Sequence, residues 1–167
     1  MTEAFALPEF TRALRSFASP RALGPDHERF FAPLLGARRA AAQASRWQSR
    51  LDAFDADRLD ATMRMTLGTL ASERFPTSAP DERALTAQLE DACGGFFDAL
   101  GPLGASAAAV REAAGDDARG VAWDAFVEAL RRVFVGADHG WEQARALLDA
   151  HPAPARRRAK ARARSRR

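Results

Sequence analysis

The sequence has no isoleucine, no tyrosine and only five valines among its 167 residues. Strands draw on β-branched and aromatic side chains, so this poverty argues against a sheet. Cysteine is nearly absent as well. Cys93 stands alone, which excludes an internal disulfide and any cysteine-based zinc cluster, and its expected role is a buried structural thiol. No apolar run approaches the roughly 18 residues of a spanning helix, and the N-terminus lacks the cationic-then-apolar order of a secretion signal. A cytoplasmic protein is the expectation.

The chemical motifs that would announce an enzyme are missing too. There is no glycine-rich nucleotide loop, no lysine-bearing phosphate loop and no serine nucleophile elbow. His27, His139 and His151 fall near expected helix ends or linkers, and no two share a helical face at metal-ligand spacing. His27 beside Glu28, and His139 beside Asp138, read as surface residues near caps. Asp55, Asp57 and Asp60 could begin a calcium loop, but Asp60 stands where its glycine belongs and Thr66 where its final acid belongs. Helix capping accounts for them better, as it does for Asp116 and Asp117. The expectation is a non-enzymatic protein with no metal, no cofactor and no small-molecule substrate.

Alanine, leucine, eleven phenylalanines and three tryptophans are present instead, at helical spacing. Leu7, Phe10, Leu14 and Phe17 mark a short helix over residues 8–18. Asp26 is placed to cap a second helix carrying Phe30, Phe31, Leu34 and Leu35, which Pro33 and Gly36 should kink or divide. Ala40, Ala44, Trp47, Leu51 and Phe54 extend one face of a long helix over residues 37–54. Leu59, Met63, Leu67 and Leu70 predict a helix capped by Asp55 or Asp57 and broken at Pro76.

Pro80, Asp81 and Glu82 open another helix, with a buried stripe of Leu85, Leu89, Cys93, Phe96, Phe97 and Leu100. Gly94 and Gly95 should bend that helix, and Gly101 and Pro102 should end it. A short alanine-rich helix over 106–114 follows. A helix over 119–135 carries Trp123, Phe126, Leu130 and Phe134 and stops at Gly136; Asp138 then caps a last one, which ends before Pro152. The tryptophans lie in apolar stripes and are expected in the core. The fold class is all-α, a compact bundle of about six to seven helices over residues 1–151, with a disordered basic tail over 152–167.

That tail carries the clearest functional signal. Residues 155–167 hold Arg156, Arg157, Arg158, Lys160, Arg162, Arg164, Arg166 and Arg167, with no acid, aromatic or large aliphatic side chain. Such a segment cannot bury enough apolar surface to offset the entropy of ordering itself. The chain has 25 basic and 22 acidic residues, and setting the eight tail cations aside leaves 17 against 22, a body of net −5. A polyanionic partner follows from that asymmetry.

The predicted function is a helical subunit that binds DNA, RNA or a nucleoprotein assembly, largely without sequence preference, because contacts to phosphates position a protein without reading bases. Arg39, Arg46 and Arg50, at offsets of seven and eleven on one expected helix, could continue the phosphate track. The alternative is a protein–protein adaptor or assembly subunit whose tail is incidental or meets an acidic partner. A membrane-surface role ranks third, since the tail lacks apolar anchors.

Overall fold

The computed structural model describes residues 24–154, of which 85% are helical and none forms a strand. In chain order the helices are α1 (Pro25–Gln43), α2 (Trp47–Asp52), α3 (Ala56–Arg74), α4 (Ala79–Ala92), α5 (Gly94–Glu112) and α6 (Asp116–Ala150). The expected helix over 8–18 and the basic residues of 155–167 lie outside the described residues.

The architecture is organised around α6. Its 35 residues extend about 52 Å at 1.5 Å per residue. Along one stripe it buries Trp123, Phe126, Leu130, Val133, Phe134, Ala137, Trp141, Ala144 and Leu148. Against that stripe pack α5, most extensively, then α4 and α1. On the far side α3 closes the bundle, contacting α1, α4 and α5 through Leu59, Met63, Leu67 and Leu70. Trp123 and Trp141 belong to this single apolar core, and Trp47 is half-buried against it.

Local signals place some boundaries. Asp55 caps α3, its carboxylate accepting the backbone N–H of Arg58 at 3.0 Å. The acids Asp81 and Glu82 lie in the first turn of α4, and α6 gives way at His151, one residue before Pro152. At α1, however, Asp26 is not the cap. Gly24 is, at φ 134°, a backbone conformation that side-chain-bearing residues avoid. Asp26 sits instead in the first helical turn, facing the positive end of the helix dipole.

Several expected breaks fall elsewhere. The long helix over 37–54 is interrupted at residues 44–46, where Ala44 and Arg46 are extended, so that α2 folds back on α1 and buries Leu51. Pro33 does not divide α1: Phe30 and Phe31 before it and Leu34 after it are all buried on one face, and that packing holds the turn together. Gly94 does more than bend its helix, since α4 ends and α5 begins around Cys93. Pro102 lies within α5, which runs on through the segment expected as a separate short helix. Gly136 does not stop α6, and Asp138 caps nothing; both are interior to one continuous helix. At these sites tertiary contact overrides local propensity.

Candidate functional site

The three body arginines expected along one helix face are divided by the break at residues 44–46. Arg39 is exposed on α1 and Arg46 is exposed at the entry to α2. Arg50 is 7% exposed and belongs to the buried side of α2, where desolvation pulls its guanidinium below its usual range. A group this enclosed does not present its charge to a phosphate in solvent. The continuous Arg39, Arg46 and Arg50 track is therefore not formed.

Seven other arginines among the described residues are engaged within the bundle. Arg29 donates to Glu73 at 2.7 Å and to Asp26 at 3.2 Å, and Arg74 donates to the other Asp26 oxygen at 2.6 Å. This network ties the first turn of α1 to the last turn of α3. Arg64 bridges Asp60 and Glu90 across α3 and α4 and lies 4.2 Å from the centroid of the Phe97 ring. Arg111 reaches Asp52 at 2.8 Å, while Arg131 and Arg132 share Glu128. Arg119 pairs with Asp116 and lies over Trp47. The charge of these seven arginines is neutralised where it stands.

A cleft of about 370 Å³ lies between the start of α1 and the end of α6, lined by Pro25, Asp26, His27, Trp141, Arg145 and Asp149. Contrary to the sequence expectation, His27 is not a surface residue: it is 4% exposed. Its ring stands 4.7 Å from that of Phe31 and 5.0 Å, edge to face, from that of Trp141. The signal was present, because His27 precedes Phe30, Phe31 and Leu34 by three, four and seven residues and so lies on their stripe. Burial lowers the imidazole pKa, and the negative charges of Asp138 and Glu28 oppose that only in part. Asp138 moves up, first through desolvation and then through Glu142.

His139 is exposed, and His151 packs at 5.3 Å against Phe75, joining the end of α6 to the end of α3. Among the described residues no group of three His, Cys, Asp or Glu side chains is placed to hold a metal ion. Cys93 is fully buried, and desolvation pushes its thiol up to about 12. A thiol so protonated is a poor nucleophile at neutral pH. No described helix is long and apolar enough to cross a membrane.

The comparisons add no relative to this picture: no protein-family model, curated protein or solved structure matches the chain.

Proposed function

We propose that the protein is a helical, non-enzymatic subunit that binds nucleic acid or a nucleoprotein assembly through Arg156, Arg157, Arg158, Lys160, Arg162, Arg164, Arg166 and Arg167. The observation that carries this reading is charge segregation. Eight cations and no acid are concentrated in residues 155–167, while the rest of the chain is net −5. Within the described bundle, Arg29, Arg64, Arg74, Arg111, Arg119, Arg131 and Arg132 are each paired with a carboxylate, so the charge of these seven is already engaged. Arginine suits phosphate because its planar fork makes two parallel hydrogen bonds. Exposed Arg39 and Arg46 serve as secondary contacts.

α6 leads directly toward this segment. The helix is fixed in the core along its length, and His151 packs on Phe75 where it ends. Exposed Pro152 and Pro154 then stiffen the junction.

The deciding measurement is a salt titration of affinity for a generic duplex and a generic single strand. Backbone neutralisation releases counterions, so affinity should fall steeply between about 50 and 200 mM salt. A flat response, or no binding at low salt, refutes the reading. If a protein partner is instead recovered with equal yield by the intact chain and by residues 1–152, the adaptor role replaces it.

A further inference from the structure

We propose that His27 is an acid-released latch: while neutral it closes the first turn of α1 against the end of α6, and its protonation opens the cleft it shares with Trp141. This does not rest on the polyanion reading, because every residue it invokes lies within residues 24–154.

The geometry is that of a two-sided clamp on one helical turn. On one side, Asp26 is held by Arg29 and by Arg74, tying the turn to α3. On the other, the His27 ring is inserted among aromatic rings: Phe31 at 4.7 Å and Trp141 at 5.0 Å, with Phe30 packed on Trp141 at 5.4 Å. The α3 side is ionic and independent of His27. The α6 side depends on the imidazole remaining uncharged, because an apolar aromatic box solvates an imidazolium poorly.

Among the described residues, the charged groups around His27 do not supply what water would. From its own helix come Glu28 and Asp26, and Asp26 is already engaged by two arginines. From α6 come Asp138, whose pKa desolvation raises, and the rim pair of Arg145 and Asp149, 3.9 Å apart. Asp138 and Glu28 favour the cation, but desolvation outweighs them. Trp141 adds a reason for the joint to yield. Its indole N–H is buried with no hydrogen-bond partner among the described residues, and opening the cleft would give it water.

The sign follows from linkage. The folded imidazole pKa lies below its unfolded value of 6.5, so the closed state binds fewer protons than the open one. Closure is fully stable above pH 6.5 and weakens as pH falls, by at most about tenfold in the opening equilibrium per pH unit until the folded pKa is passed.

The test is indole N–H hydrogen exchange on the full chain between pH 7.5 and 5, each rate divided by its intrinsic value, with Trp141 read against Trp123 in the centre of the core. The expected result is a selective loss of Trp141 protection below pH 6.5, abolished in His27→Phe, which keeps a ring in the box but cannot be protonated. Equal behaviour of the two indoles, or an undiminished loss in His27→Phe, overturns the latch. Should His27→Phe fail to fold, the wild-type chain decides: loss of Trp141 protection that tracks the titration of the His27 ring C–H resonance, with a midpoint below 6.5, supports the proposal, and Trp141 protection that stays constant through that titration refutes it.

Discussion

A Cβ built on Gly136 would fall 2.8 Å from both the carbonyl carbon and the carbonyl oxygen of Gly95. The start of α5 and the middle of α6 therefore meet backbone to backbone, and four residues further along α6 a Cβ on Gly140 would meet the Cys93 sulfur at 3.1 Å. This close crossing explains why two glycines survive inside a helix that their own propensity disfavours.

Gly136→Ala should accordingly destabilise the protein. Alanine gains about 1 kcal/mol of helix propensity over glycine, but the clash is with backbone, which cannot rotate aside, and overpacking of that kind costs roughly 1–3 kcal/mol. Gly68→Ala on α3 meets nothing within 4 Å and should stabilise by about 0.5–1 kcal/mol. Urea unfolding midpoints of the two variants should move in opposite directions. Movement in the same direction contradicts the crossing.

Asp26→Asn should weaken the bond between α1 and α3. The Arg74 side chain is only 8% exposed and would be deprived of its sole carboxylate partner among the described residues, while Asp26 itself is a third exposed. Breaking fully buried pairs costs about 3–5 kcal/mol, and partial solvation here should reduce that to roughly 1–2 kcal/mol. Desolvation acts to raise the Asp26 pKa, but the hydrogen bonds and charges of Arg74 and Arg29 prevail and hold it below the usual carboxylate range. Stability from this residue is thus present above about pH 4 and lost as pH falls through the lowered value. Wild type and Asp26→Asn should converge in melting temperature toward pH 2. A difference that stays constant with pH would deny the charge any role.

Cys93 should resist a thiol reagent until the chain unfolds. It is fully buried beside Gly140, and its thiol is pushed up to about 12 by desolvation. Labelling by a disulfide reagent at pH 8 should follow the unfolding rate and accelerate steeply in urea. Rapid stoichiometric labelling of the native protein would show that the α4–α5 junction opens far more easily than its packing implies.

These residues also show what was legible in the sequence. The Asp55 cap and the Leu59, Met63, Leu67 and Leu70 stripe are local features, set within a few residues, and both were readable. The continuity of α5 through Pro102 and of α6 through Gly136 depends on residues distant in sequence, and single-chain periodicity cannot weigh such packing against a breaker. The turn at Ala44 contains neither glycine nor proline, so nothing local announced it. Burial of His27 was readable from its stripe, yet a histidine beside a cap invites a surface reading. Of the candidate binding residues, Arg39 and Arg46 are exposed as expected and Arg50 is not, because the break at 44–46 changes which side of the chain faces the core.

Replacing Arg156, Arg157, Arg158, Arg162, Arg164, Arg166 and Arg167 with glutamine should abolish most polyanion affinity while leaving the melting temperature nearly unchanged, since the packing of the core within residues 24–154 is not altered. The substitution removes seven of the eight cations in this segment, and what remains is dominated by the acidic body, which repels a phosphate backbone. The slope of log affinity against log salt on duplex DNA should shrink by about 0.9 for each phosphate that is no longer neutralised. Arg39→Gln combined with Arg46→Gln should shrink it by no more than about 2 of those units, and Arg50→Gln should leave the slope unaltered while lowering stability, because that side chain is enclosed by the bundle. If the terminal variant retains both the affinity and the salt slope of the wild-type chain, residues 155–167 are not the binding element, and the polyanion function falls with them.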